Sequence, residues 1–286
     1  MTFEEYLHDK LAPATIKSYS VDVNNLIIYL TPKRTTKASY EDLEVYVNQL
    51  REGGYSSGYL KKVVNSLMKY FDYLVTTQQR KDNPCVGIKL KDKVVSSVQL
   101  QDLFKPKELE LLMNRTDPYP ILRIKNQALT SLMIYQGLLV KEMFNLRLGD
   151  IDLNEGTIYI SSTSKSNERM LKLQPKQVML FYKYIHEVRP ALRRGESNYL
   201  LINQRGKPVS GLEISYLLKP MKSMFTDRKL SPMTIKMSVI SNLLRDGNNL
   251  REVQYYGGYR KVSSVELYRQ QQVEELKNVI LRMHPY

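Results

Sequence analysis

The sequence predicts a mostly helical protein with one small β-hairpin or sheet, an α+β arrangement in two domains. Three observations predict it. Apolar residues recur at steps of three and four through most of the 286 residues. One short stretch, TIYISS at 157–162 followed by RMLKL at 169–173, is rich in strand formers and joined by the polar turn SKSNE. Between Asn83-Pro84 and Pro106 the periodicity fades, which marks a domain boundary.

The first ninety residues read as helices. From Thr15, Ile16, Tyr19, Val23, Leu26, Ile27 and Leu30 form one apolar face. Leu43, Val45, Val47 and Leu50 repeat the pattern more weakly over 40–52, and Gly53-Gly54 stops it. From Ser57, the residues Leu60, Val63, Val64, Leu67, Met68, Phe71 and Leu74 give a clean stripe. A bundle of four or five short helices over 1–90 is the expectation. Residues 91–106 are expected to be a linker, with Val94–Val98 as a candidate isolated strand, and 107–286 a second domain.

In that second domain a helix is expected over 126–147, with Leu129, Leu132, Met133 and Leu138 on one side. The hairpin over 157–173 follows, then helices at 175–188 and 211–225. Ser231-Pro232 is a helix start, with Ser as N-cap and Pro at the first position, and Gly247 suits its end. A short helix ends at Gly257-Gly258. Ser263 and Glu266 have capping-box spacing and open a last helix, whose stripe runs through Val273, Leu276, Val279, Ile280 and Met283.

Composition excludes several classes. With 42 % hydrophobic and 25 % charged residues, the chain resembles an ordinary globular protein rather than a disordered or fibrous one. It contains no run of eighteen apolar residues, so no membrane helix is expected. The acids in MTFEEYLHDK argue against a signal peptide. A single cysteine, Cys85, excludes a disulfide framework and a cysteine-based zinc site, and points to a reduced, cytoplasmic setting. We find no metal-ligand cluster and no glycine-rich phosphate loop, so no cofactor is expected.

Charge is the departure from average: 43 basic against 29 acidic residues, net +14. Residues 1–90 hold 12 basic and 10 acidic groups; the remaining 31 and 19 put +12 in the rest of the chain. A polyanionic partner follows, nucleic acid before a membrane surface. No long Lys/Arg run stands out, so binding would use a folded surface rather than a basic tail.

The order of elements and several words within it resemble the tyrosine recombinase, or phage integrase, family. ATIKSYSVDVNNLIIYL, YSSGYLKKVVNSLMKYFDYL and DNPCVGIKL follow the family's N-terminal helical (SAM-like) core-binding domain. YQGLLVKEMFNLRLGDIDL is similar to the signature T-G-L-R-x-S-E-L-x-x-L-x-x-x-D-I of its catalytic domain. SPMTIKMSVISNLLRDGNNLREVQYYGGYRKVSSVELY is similar to the second signature, P-H-x-L-R-H-T-F-A-x-x-L-L-x-x-G, then V-Q-x-x-L-G-H, then the tyrosine.

The resemblance implies a transesterification on duplex DNA without metal or nucleotide. A tyrosine hydroxyl attacks a backbone phosphate, forms a 3′-phosphotyrosine and expels the 5′-oxygen. Two arginines clamp the non-bridging oxygens, a hairpin lysine protonates the leaving oxygen, and histidines assist. Carried across by motif, the first arginine falls on Leu139, the lysine on Lys165, the histidine on Met233 and the second arginine on Lys236. The family glycine is taken as Gly257, with the following His or Trp on Gly258, and the nucleophile on Tyr268. Lys165 and Tyr268 match the pattern and Lys236 keeps charge, whereas Leu139, Met233 and Gly258 occupy lost catalytic positions. The three histidines, His8, His186 and His284, all lie outside Pro232–Tyr268, so a register shift cannot restore one.

Losing one transition-state donor typically lowers the rate on the order of 10²–10³-fold, and lysine does not reproduce an arginine fork. The expectation is therefore a catalytically degenerate member that binds DNA and assists or regulates site-specific recombination or integration of a mobile element. The alternative is an active recombinase that forms a phosphotyrosine through Tyr268 with a rearranged clamp, using Lys165, Lys236 and an arginine recruited from Arg147 or Arg260. A third reading is a structural or interaction role without DNA.

Candidate DNA contacts are Lys17, Lys61, Lys62 and Lys69 in the first domain. In the second they are Lys165, Arg169, Arg205, Lys207, Lys236 and Arg260, with Ser215, Lys219 and Lys222 on the helix that in the family enters the major groove. The expected partners are double-stranded DNA and either an active tyrosine recombinase or a second copy through the C-terminal helix, with no membrane. A nucleoid-associated place in the cytoplasm fits them.

Overall fold

The structure is a computed structural model; it describes residues 1–90, 102–114, 117, 119–192, 195–269 and 280. The chain divides into two compact units, Met1–Ser97 and Val98–Tyr286. Residues 91–101 of the expected linker, Val94–Val98 among them, and the apolar stripe beyond residue 270, Ile280 apart, lie outside the described residues. Residues 102–106, also expected as linker, instead pack on the second unit, with Leu103 and Phe104 buried.

The first unit is a helical bundle. Its helices are α1 (Phe3–His8), α2 (Pro13–Leu30), α3 (Pro32–Thr35), α4 (Tyr40–Glu52) and α5 (Ser57–Thr76). Thr2, Ser39 and Ser56 cap α1, α4 and α5 through their hydroxyls, accepting otherwise orphaned backbone N–H groups. The apolar faces of α2 and α5 meet in a core of Val23, Leu26, Leu30, Val63, Leu67, Phe71 and Leu74. Within it Asp22 is buried but satisfied: Lys62 Nζ donates at 2.7 Å and Ser66 Oγ at 3.0 Å. A 3₁₀ turn at Pro84–Gly87 closes the bundle and buries Cys85.

The second unit begins with α6 (Pro106–Leu111) and α7 (Pro120–Gln136). The helix expected over 126–147 is two helices. Gly137 takes the left-handed conformation (φ 61°) and ends α7, and α8 (Val140–Asn145) starts three residues later. The described strands form a three-stranded antiparallel sheet: β1 (Ile151–Asp152), β2 (Thr157–Ile160) and β3 (Arg169–Lys172). Strands β2 and β3 are the predicted hairpin, with Ile160 opposite Arg169 and Thr157 opposite Lys172.

Helix α9 (Pro175–Lys183) continues through a π turn at Tyr184–Val188 into α10 (Arg189–Leu192). The segment expected as one helix over 211–225 is α11 (Gly211–Leu218) followed by a 3₁₀ stretch at Lys219–Met224, where Pro220 removes a backbone donor. Helix α12 (Pro232–Arg245) carries the predicted Ser231 cap, its Oγ accepting from Thr234 N–H. Helix α13 (Leu250–Gly257) is capped by Asn249 and ends at Gly258, which is left-handed (φ 69°). The last described helix, α14, runs over 263–269, so Ser263 is its first residue rather than its N-cap.

Helix α12 is the spine of this unit. Its Ile235 and Val239 join the main core with Leu129, Leu132 and Met133 of α7. Its Met237 and Ile240 join a smaller cluster with Val253, Val265 and Tyr268. Ser238 Oγ accepts from Phe104 N–H at 2.9 Å and Asn242 Nδ2 donates to the Phe104 carbonyl at 3.1 Å, pinning the unit's first residues to it. No helix among the described residues is long and apolar enough to cross a membrane.

Candidate active site

A buried carboxylate organises the site. The turn at Gly137 sends the chain into α8 so that Glu142 lies at its N3 position. One carboxylate oxygen, Oε2, accepts the Leu139 N–H at 2.9 Å; the other, Oε1, accepts from Arg169 Nη1 at 2.7 Å. Lys236 Nζ lies 3.8 Å from Oε2. Burial alone would raise the Glu142 carboxyl. The Arg169 hydrogen bond, the charges of Lys236 and Arg169, and the Leu139 N–H outweigh it and hold the carboxyl below its ordinary range.

Arg169 reaches this acid because of strand register. In β3, Arg169 and Leu171 face inward while Met170 and Lys172 face out. The arginine is 2 % exposed. Its Nε donates to the Tyr256 carbonyl at 2.8 Å and its Nη1 also points to the Asn167 carbonyl at 3.4 Å, while Nη2 is buried without a partner. The hairpin is held in place by Asn167 N–H donating to the Gly258 carbonyl at 2.9 Å and by the Tyr255 hydroxyl accepting from Met170 N–H at 3.0 Å. Arg169 is therefore not the surface DNA contact the sequence suggested: strand alternation turns it into the core.

Lys236 is likewise not at the surface. It is 4 % exposed, and its Nζ donates to the Gly257 carbonyl at 2.6 Å. Burial pulls its pKa down to about 8, with the Arg169 charge acting the same way and Glu142 opposing both. Although Glu142 lies close, desolvation of the ammonium wins because the carboxylate is already shared with a nearer guanidinium.

Tyr259 lies next to the lysine, its ring centroid 5.3 Å from Nζ, and its hydroxyl is 3.4 Å from the Tyr268 hydroxyl. Both phenols titrate above the ordinary tyrosine value. Burial is the main cause for each; the Tyr268 charge and hydrogen bond add to it at Tyr259, whereas the Tyr259 hydrogen bond partly offsets it at Tyr268. Tyr268 is 9 % exposed.

This geometry corrects one assignment. Counted from Val253-Gln254, V-Q-x-x-L-G-H puts the glycine on Gly258 and its last position on Tyr259. Gly258 is the left-handed cap that requires glycine, and Tyr259 is the side chain beside Tyr268. Gly258 thus does not mark a lost side chain; the position carries a phenol.

The remaining expected residues are separate from this cluster. Leu139 is half-buried, and Met233 is 53 % exposed at the start of α12. Lys165 is exposed in the turn, its N–H bonded to Thr163 Oγ1 at 3.2 Å. Arg260 Nη2 donates to the Thr163 carbonyl at 3.0 Å, which brings it to the same turn. Arg147 stacks on the Tyr199 ring at 3.8 Å.

Arg205, Lys207, Ser215, Lys219 and Lys222 are exposed, as are Lys17, Lys61 and Lys69 in the first unit. Lys62 is half-buried, and its Nζ donates to Asp22 at 2.7 Å.

Among the described residues no group of three or more His, Cys, Asp or Glu could hold a metal.

Comparison with known proteins agrees with this fold. Residues 103–275 match the phage integrase family, and residues 2–78 match the phage integrase N-terminal SAM-like domain. The chain is 26 % identical over 297 aligned residues to tyrosine recombinase XerD of Listeria monocytogenes serotype 4b (strain F2365), covering 99 % of this chain and 98 % of the relative. It is 24 % identical to tyrosine recombinase XerC of Bacillus pumilus (strain SAFR-032), covering 99 % and 95 %.

Among solved structures, XerH site-specific recombinase bound to palindromic difH substrate superposes with a TM-score of 0.74 at 17 % identity, covering 93 % of this chain and 79 % of that one. A lambda integrase dimer bound to a COC′ core site superposes with a TM-score of 0.69 at 13 % identity, covering 94 % and 75 %. With both of its domains matched, the chain belongs to the phage integrase family of tyrosine recombinases.

Proposed function

We propose that this chain binds duplex DNA as a member of that family without cleaving it. It acts beside an active tyrosine recombinase, or as a regulator of recombination or integration of a mobile element. The observation that carries this reading is the state of Lys236. At the second-arginine position, its ammonium is engaged by the Gly257 carbonyl at 2.6 Å and faces Glu142. Leu139 and Met233 add hydrocarbon where the family pattern has charge or hydrogen-bond donors. Grip on DNA does not need those groups. It needs cations spread over a surface, and Lys165, Arg205, Lys207, Lys219, Lys222 and Arg260 are exposed.

A second reading has support from one contact. Tyr259 and Tyr268 place two phenol hydroxyls 3.4 Å apart, so a donor stands beside the expected nucleophile. An active recombinase with Tyr268, Tyr259, Lys165 and Arg260 would use it. A gel-shift titration on duplex DNA over increasing salt, run with the same DNA carrying a nick that traps a 3′-phosphotyrosine, separates the two. Salt-sensitive shifts without an adduct support the first reading; an adduct supports the second; salt-indifferent, weak binding overturns both.

A further inference from the structure

A groove between α7 and α9 takes no part in the buried cluster or in the expected DNA contacts. The two helices run antiparallel. Gln136 at the end of α7 exchanges hydrogen bonds with Gln177 at the start of α9. Toward the other end the helices part. The groove there is lined by Pro120, Arg123 and Ile124 of α7 and by Met179, Leu180 and Lys183 of α9. About 20 Å of helix separates Arg123 from Gly137, where the chain turns into the Glu142 site.

Its floor is apolar and accessible. Met179 is 62 % exposed, and Ile124 and Leu180 are half-buried. Its rim is cationic. Arg123 and Lys183 are exposed, and among the described residues neither side chain makes a hydrogen bond or an ion pair. Lys176 lines the same groove and is already paired with Glu110 at 3.0 Å.

These residues recur at helical spacing over about two turns of each helix. Two ridges of that spacing leave a furrow that a third helix fills. A DNA backbone would neutralise the rim but set its phosphates against the apolar floor. A helix with an apolar stripe flanked by Asp or Glu satisfies both.

We propose that this groove is the docking site for an acidic amphipathic helix of a protein partner. The partner's apolar stripe covers Ile124, Met179 and Leu180, and its carboxylates pair with Arg123 and Lys183. The docking site stands apart from DNA binding, so the chain recruits this partner whether or not it holds a duplex.

The probe is a fluorescein-labelled synthetic helix of about 18 residues, with Leu at i, i+3, i+4 and i+7 spacing and Glu beside the stripe. One control peptide carries Lys in place of Glu; another carries Ser in place of Leu. Anisotropy is followed against the full chain. Arg123→Ser combined with Lys183→Ser removes the rim, and Met179→Ser removes part of the floor. Lys37→Ser combined with Lys229→Ser removes the same charge at exposed positions elsewhere.

The parent should bind the Leu–Glu peptide at least about tenfold more tightly than either control. Each groove variant should lose about tenfold, and the Lys37/Lys229 variant less than about twofold. All the substituted side chains are exposed, and circular dichroism checks that the variants fold. No binding by the parent, or binding indifferent to the groove variants, would overturn the proposal. A labelled duplex that displaces the peptide and binds the groove variants more weakly would assign the groove to DNA and overturn it. Sedimentation showing a parent dimer that the groove variants dissociate would assign it to a second copy, with the same consequence.

Discussion

The guanidinium of Arg169 fills the space beside Gly258 that a side chain on that residue would occupy. A Cβ built there would lie 2.5 Å from Arg169 Nη1 and 2.9 Å from Cζ. Gly258 is also left-handed, at φ 69°. Alanine at this position should therefore meet two penalties, the backbone strain of a left-handed L-residue and displacement of a buried arginine. Together they amount to on the order of 2–4 kcal/mol. Asparagine tolerates the backbone better but carries the same Cβ, so Gly258→Asn should recover only part of the loss. Denaturant midpoints of the two variants would show this. An alanine variant as stable as the parent would mean that Arg169 does not hold that place.

Glu142 is the acid on which two buried cations depend. Glu142→Gln leaves Arg169 and Lys236 enclosed without a counter-charge, and removing one partner of a buried pair costs about 3–5 kcal/mol. For a unit of this size the melting temperature should fall on the order of 10 °C. Thermal unfolding followed by circular dichroism checks it; a shift within a degree or two would show that the carboxylate is not holding the cluster.

Lys236 gives stability a pH dependence of definite sign. In the folded chain its pKa is about 8, against 10.5 for an ordinary lysine. Between those values the unfolded chain binds more protons, so this residue makes stability rise with pH. Below pH 8 the full cost of burying the ammonium is present. Relative to Lys236→Met, the parent should therefore gain stability from pH 8 toward 9.5, approaching about 1.4 kcal/mol per pH unit. Urea melts of both proteins across that range would measure it. A constant difference would contradict the assigned environment.

Cys85 tests the first unit independently. It is fully buried, and burial pushes its thiol up to about 12. Native protein at pH 8 should react with a disulfide reagent only as slowly as the bundle opens, and denaturant should expose one thiol at once. Prompt reaction in the native state would mean the Pro84–Gly87 turn does not close over the core.

Much of the fold was legible because helical stripes and caps are local signals. Ser57–Thr76 and the Ser231-Pro232 start appear as expected. Gly137 was readable as a breaker, yet the apolar residues on both sides of it masked the end of α7. The site was harder. Arg169 was offered as a surface DNA contact because it is a cation, and Lys236 both as such a contact and, by motif, as the second-arginine position; neither reading showed that the side chain is buried. The alternation that turns Leu171 inward also turns Arg169 inward, so RMLKL did contain that signal. The acid that accepts it lies 27 residues away in the chain, and only the fold brings the two together. Tyr259 was legible by counting, since from Val253-Gln254 the motif puts its glycine on Gly258 and its last position on Tyr259; the Gly257-Gly258 doublet drew the assignment one residue early, and the left-handed cap at Gly258 agrees with the count.

The most direct test of binding without cleavage is covalent adduct formation on a nicked duplex that carries the chain's own recombination site, once that site is found by selection from random DNA. The account predicts a stable, salt-sensitive complex and no denaturant-resistant protein–DNA band, for the parent and for Tyr268→Phe alike. A resistant band in the parent that disappears in Tyr268→Phe would contradict it.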